Sequence, residues 1–134
     1  MIPKLLNGAN LAYIGDAYYE LRIRKYLIDK EITNQNKLHK LATKYVSASG
    51  HYKIMNNLFD LLTEEELAIY KRGRNFKSNS RRKNTKQDEY LASSGFESLI
   101  GYLYLNEDFA RLDEIIGLAI KIIEDSYEWT SLWE

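Results

Sequence analysis

The sequence predicts a single all-α domain. Apolar residues recur at spacings of three and four along most of its 134 residues, and one proline with seven glycines is too little turn material for an all-β protein. The length is close to the usual size of one domain, which places residues 1–134 in one unit with its own core.

The first helix is expected over residues 10–29, with Leu11, Ile14, Tyr18, Leu21 and Ile28 as its apolar stripe and Arg22, Arg24, Lys25 and Asp29 opposite. A second, over 36–49, carries Leu38, Leu41, Ala42 and Tyr45, and Gly50 follows it as a stop or hinge. A third covers 51–62 with Ile54, Leu58, Leu61 and Leu62. Thr63, with Glu66 three residues later, forms a capping box that opens a fourth helix running to about Arg72. Residues 73–85 are polar, basic, rich in Asn and Ser and without apolar period, which reads as a loop. A fifth helix resumes near Lys86 and runs through Phe96, Leu99, Ile100 and Leu103 to about Leu105. The last, over 109–127, carries Leu112, Ile115, Ile116, Ala119, Ile122 and Ile123.

Composition narrows the function classes. A chain that is 45% hydrophobic buries a proper core, which excludes disorder over most of its length. No apolar run reaches the roughly 18 residues of a membrane span, and residues 1–8 lack the apolar stretch of a signal peptide, so a cytoplasmic protein is expected. The absence of cysteine excludes a disulfide framework, thiolate catalysis and zinc ribbons. Two histidines leave little material for a His-rich metal site, and His39 reads as a partly exposed helix residue. A net charge of zero hides an asymmetry. Residues 71–86 hold eight of the nineteen basic side chains and no acid, whereas residues 87–134 hold two basic residues against eleven acids. A run of this kind is either a solvated loop or a contact for nucleic-acid phosphates.

Two stretches break the amphipathic rule alike. Asp16 lies inside Leu11-Ala12-Tyr13-Ile14-Gly15-Asp16-Ala17-Tyr18-Tyr19, and Glu97 inside Gly95-Phe96-Glu97-Ser98-Leu99-Ile100-Gly101-Tyr102-Leu103. Each is one acid in an apolar helical run with a glycine nearby, and glycine inside a helix costs about 1 kcal/mol relative to alanine. That cost is worth carrying where two helices approach closely. Two such acids would repel if they met unpaired, and a divalent cation such as Mg²⁺ would relieve the repulsion. The residues alone leave a second reading open, in which each acid is satisfied by a backbone donor, an arginine or a lysine. The eleven tyrosines fit core and interface better than base-stacking platforms.

Tyr13-Ile14-Gly15-Asp16-Ala17 resembles the signature of the ribonuclease III catalytic domain, and the run from Phe96 to Leu105 is similar to that family's second acidic motif. More specifically, the chain resembles the bacterial Mini-ribonuclease III group, which has the catalytic domain without a double-stranded-RNA-binding domain. Supporting runs are Leu38-His39-Lys40, Tyr45-Val46-Ser47-Ala48, Lys71-Arg72-Gly73-Arg74-Asn75, Lys77-Ser78 and Lys83-Asn84-Thr85, colinear over nearly the whole chain. The resemblance implies that Asp16 and Glu97 are the catalytic, metal-binding acids and that Mg²⁺ is the cofactor. Their carboxyl oxygens are then expected within about 5 Å of each other, so that one cation can serve both.

Two further acids of the larger relatives fall on Ala12 and Ser94 here, and Glu20 is a candidate helper or a structural partner of Arg24. Arg82 and Lys86 stand where relatives commonly have a proline and an acid, which bears on the loop's conformation. The implied reaction is hydrolysis of double-stranded RNA to 5′-phosphate and 3′-hydroxyl ends, with Lys71, Arg72, Arg74, Lys77 and Lys83 on the RNA backbone. The implied role is maturation of precursor large-subunit (23S) ribosomal RNA by a homodimer, with a ribosomal protein as a candidate helper. The dimer's apolar surface is expected among Tyr13, Tyr18, Phe96, Leu99 and Tyr102. The alternative is a catalytically inactive, structured-RNA-binding adaptor of the same fold.

Overall fold

The computed structural model of the chain describes residues 1–76 and 85–127. Among these residues lie six α-helices, two short 3₁₀ turns (Pro3–Leu5 and Phe59–Leu61) and no strand. The helices are α1 (Gly8–Asp29), α2 (Gln35–Val46), α3 (Ala48–Leu58), α4 (Glu64–Asn75), α5 (Thr85–Leu105) and α6 (Phe109–Asp125). No helix among the described residues is long and apolar enough to cross a membrane.

Most helix starts are set by side chains that satisfy orphan backbone N–H groups. Asn7 accepts from the Asn10 N–H, Asn34 from Lys37 and Ser47 from Gly50. At α4 both halves of the capping box are made: the Glu66 N–H donates to Thr63 Oγ1 (3.1 Å) and the Thr63 N–H to Glu66 Oε1 (2.9 Å). Two residues past the end of α5, Glu107 takes the left-handed region (φ 57°), and the Asp108 N–H donates to the Leu103 carbonyl, closing the helix as a glycine there commonly does.

α5 is the axle. α1, α3, α4 and α6 all pack on it, so Phe96, Leu99, Ile100, Tyr102 and Leu103 are buried around its circumference. Two approaches are too close for side chains. A Cβ on Gly15 would lie 1.7 Å from the Glu97 carbonyl oxygen, and one on Gly101 would lie 1.9 Å from that of Leu11, so α1 and α5 touch backbone to backbone. A Cβ on Gly73 would lie 2.1 Å from Ser98 Oγ, and that hydroxyl donates to the Gly8 and Ser94 carbonyls, joining α1, α4 and α5.

Polar links between helices complete the frame. Glu66, only 5% exposed, accepts from Arg111 Nε and Nη2 at 2.8 Å each, tying α4 to α6. The Tyr26 and Tyr45 hydroxyls both donate to Glu124 Oε2 (2.5 and 2.9 Å), tying α1 and α2 to α6.

Four expectations change. The buried stripe of α1 is Leu11, Tyr19, Ile23 and Leu27, while Leu21 and Ile28 are exposed, because contact with α5 through Gly15 sets which way the helix faces. Gly50 is no stop. It lies buried in the first turn of α3, where a Cβ would meet the Lys44 carbonyl at 2.5 Å, and the break falls at Ser47, which ends α2 and caps α3. The third helix ends at Leu58, the following 3₁₀ turn leaving Leu61 exposed. Gly73, Arg74 and Asn75 belong to α4, held there by the packing of Gly73 on Ser98, and Thr85 already belongs to α5.

Candidate active site

The two glycine-flanked acids sit at the crossing of α1 and α5. Gly15 presses on the carbonyl of Glu97 itself, and Asp16 is the next residue of α1. Asp16 is exposed and Glu97 half-buried, and both stand beside a contact made of main chain. The crossing therefore fixes the two acids' backbones relative to each other more rigidly than interdigitated side chains would.

Beneath the acids lies an aromatic floor. Tyr19, one turn past Asp16, meets the Phe96 ring edge-on at 4.9 Å between centroids, and Phe96 directly precedes Glu97. The His51 imidazole, from the first turn of α3, closes the group at 5.4 Å from Tyr19 and 4.9 Å from Phe96. Its Nδ1 lies 2.7 Å from Ser93 Oγ, one turn before Glu97 on α5. Among the described residues, His51 Nε2 and the Tyr19 hydroxyl are buried without a hydrogen-bond partner. Burial lowers the His51 pKa to about 4, and the nearby Asp16 carboxylate pulls the other way, so the ring is neutral at neutral pH.

Neighbouring positions contribute less. Glu20 is half-buried with Oε1 3.4 Å from Arg24 Nη2, the structural pairing its spacing allowed. Ala12 and Ser94 are buried, Ser94 between α5 and the end of α4, and bring no acid to the crossing. Among the described residues no group of three or more His, Cys, Asp and Glu side chains is arranged to hold a metal. A two-carboxylate donor set nevertheless fits Mg²⁺, a hard cation that is commonly bound through one or two carboxylates, with water and substrate phosphate filling the other positions.

The basic residues divide. Lys71 is exposed. Arg72 is committed to the fold, its Nη1 donating to the Lys4 and Leu6 carbonyls (2.6 and 3.0 Å) and clasping the N-terminal segment to α4. Arg74 is half-buried, donating to Asn75 Oδ1 with its guanidinium 5.8 Å over the Tyr70 ring. Lys77, Arg81, Arg82 and Lys83 lie outside the described residues, and Lys86 is exposed in the first turn of α5.

The expected dimer surface needs correction. Phe96, Leu99 and Tyr102 are core residues, because α5 is enclosed by its neighbours, and Tyr18 is half-buried against the Tyr104 ring. Of the five, only Tyr13 is exposed, at 84%, with Leu21 at 62% two turns along α1. Sequence reasoning missed His51 and the Glu66–Arg111 pair. Only the place of Glu66 in a capping box hinted at a buried carboxylate.

An all-helical frame that brings an exposed and a half-buried acid to one backbone crossing suits metal-assisted phosphodiester hydrolysis. Comparison with known proteins gives that class its name. The family model described as Ribonuclease III domain matches residues 9–108, and the chain is an endoribonuclease, a hydrolase. Mini-ribonuclease 3 of Enterococcus faecalis is 46% identical over 127 residues, covering 93% of this chain and 96% of that one. Mini-ribonuclease 3 of Streptococcus pneumoniae is 43% identical over 122 residues, covering 90% and 95%. A crystal structure of a protein from Fusobacterium nucleatum shares the fold with a TM-score of 0.75 and 32% identity, covering 87% of this chain and 93% of that one. The chain thus belongs to the ribonuclease III family and, within it, to the Mini-ribonuclease 3 group.

Proposed function

We propose that the chain works as one catalytic domain over residues 1–134 that cleaves double-stranded RNA, with Mg²⁺ held by Asp16 and Glu97. Its substrate in the cytoplasm is precursor 23S ribosomal RNA. The observation that carries this reading is the crossing of α1 and α5, where Gly15 packs on the Glu97 carbonyl and Asp16 follows. The cation would lower the pKa of a bound water and offset charge building on the scissile phosphate. Asp16 and Glu97 would hold it, while Lys71, Arg74, Lys77 and Lys83 contact phosphates and position the duplex. One active site cuts one strand, so the working form is a homodimer, and the exposed Tyr13 and Leu21 on α1 are the apolar surface it would cover.

The test incubates the protein with precursor ribosomal RNA in Mg²⁺ and then in EDTA. Cleavage in Mg²⁺ alone is expected, and Asp16→Asn should abolish it while binding of duplex RNA persists. RNA bound but never cut by the unaltered protein would establish the adaptor reading instead. Sedimentation showing only a 15.7 kDa species at micromolar concentration would remove the dimer.

A further inference from the structure

We propose that His51 is a positioning residue, whose imidazole, hydrogen-bonded to α5 and packed on the Tyr19 ring of α1, braces the stretches of both helices that carry Glu97 and Asp16 in the arrangement that binds the metal. The inference rests on the reading that these two acids are the metal ligands. His51 is 1% exposed and belongs to neither acidic motif, yet it is linked to both. Through Ser93 Oγ it is hydrogen-bonded to α5 one turn before Glu97. Through the Tyr19 and Phe96 rings it touches the residue one turn past Asp16 and the one directly before Glu97.

Packing alone does not account for this residue. An aliphatic side chain would fill the space without burying an unpaired ring nitrogen, and a half-satisfied polar group in a core is costly. A buried polar group left partly unpaired calls for an explanation beyond packing. What imidazole adds is direction. Ile54, Met55 and Leu58 also bury α3 in the core, but apolar contacts resist sliding weakly, whereas one short hydrogen bond fixes position along the helix axis. The acids project from the same stretch of α5 and α1 that this bond and these rings hold. Side chains that orient metal ligands without touching the metal commonly change its affinity by about 10- to 100-fold.

The experiment measures Mn²⁺ affinity on the protein without RNA by electron paramagnetic resonance. Duplex RNA affinity in EDTA and thermal stability are measured alongside. The variants are His51→Leu, which fills the space without the hydrogen bond, His51→Asn, whose amide takes the place of Nδ1 and can still bond Ser93, Ser93→Ala and the His51→Leu/Ser93→Ala pair. His51→Leu and Ser93→Ala should each weaken Mn²⁺ binding about tenfold, and the pair should do no worse than either alone. His51→Asn should recover most of the affinity, and RNA binding in EDTA should stay within about twofold throughout. Ser93→Ala removes only one oxygen and keeps the test open if His51→Leu fails to fold. Unchanged Mn²⁺ affinity in a folded His51→Leu or Ser93→Ala protein, with the unaltered protein's Mn²⁺ binding dependent on Asp16, overturns this proposal alone. Mn²⁺ binding that Asp16→Asn leaves unchanged overturns the metal reading and this proposal with it.

Discussion

Adding one methyl group at Gly15 should separate the two helices that carry Asp16 and Glu97. In Gly15→Ala the new Cβ would lie 1.7 Å from the Glu97 carbonyl oxygen and 2.7 Å from the Gly101 nitrogen, where ordinary contact begins near 3.4 Å. Both opposing atoms are main chain, so no side chain can rotate away and the helices themselves must part by more than 1 Å. Overpacking a core costs typically about 1–3 kcal/mol, and occasionally more. Here the strain falls between α1 and the helix on which α3, α4 and α6 also pack. Helix propensity returns at most about 1 kcal/mol on replacing glycine. A net loss of about 2 kcal/mol is expected, which for a chain of this length lowers Tm by about 6–10 °C. Gly117→Ala is the control: a Cβ there meets nothing within 4 Å, so the same exchange on α6 should stabilise by up to about 1 kcal/mol. Urea unfolding of both variants checks the signs. Cleavage assayed well below the lowered Tm should fall about a hundredfold, since a 1 Å misplacement can cost that much. A Gly15→Ala protein as stable and active as its parent would refute the account of the crossing.

Other perturbations separate stability from substrate contact. Arg111→Leu strands the Glu66 carboxylate at 5% exposure and should cost about 3 kcal/mol in urea unfolding, far more than loss of an exposed ion pair such as Lys25–Asp29. Acidification should destabilise the fold in two windows. His51 is neutral when folded, with a pKa of about 4 against about 6.5 unfolded, so the unfolded chain takes up the proton first and stability falls by about 3 kcal/mol between those values. His51→Gln should flatten that slope. Burial opposes ionisation of Glu66, but the Arg111 and Thr63 hydrogen bonds outweigh it and hold its pKa below the usual carboxylate value. Its stabilisation is present above the unfolded pKa and is lost at lower pH, as the folded pKa is crossed. Lys71→Ala should reduce the log–log salt slope of RNA binding by about 1, whereas Arg72→Ala should chiefly loosen the N-terminal segment, seen as faster amide exchange over residues 3–8.

The sequence was most legible where the physics is local. Thr63 and Glu66 lie three residues apart and cap α4 as their spacing requires. Asp16 and Glu97 stood out because an acid and a glycine inside an apolar helix are both expensive, and two expenses together mark a close approach. What stayed hidden depends on partners distant in sequence. Apolar residues occur on nearly every side of α1, so periodicity could not choose between Leu21 and Ile23, and only the α5 contact decides. The same ambiguity placed Phe96, Leu99 and Tyr102 on a surface, when α1, α3, α4 and α6 pack against the faces of α5 that carry them. Gly50 looked like a break because glycine ends helices as often as it admits a neighbour, and here the neighbour is the Lys44 carbonyl. His51 gave no signal, since its partners Tyr19, Ser93 and Phe96 are 32, 42 and 45 residues away.

The contact between Gly15 and Glu97 also divides labour between adjacent positions. Spacing is written in residues that have no side chain, and chemistry in residues whose side chains reach solvent. An engineer could therefore exchange the donors without touching the spacer. If the two acids hold a cation as proposed, replacing Asp16 or Glu97 by histidine would present nitrogen at the crossing and shift the pair's preference toward zinc, nickel or copper. The bundle below would keep its main-chain contact, because no part of that contact belongs to the groups being exchanged. The crossing thus offers a mount on which donor side chains can be exchanged while the main chain stays in place.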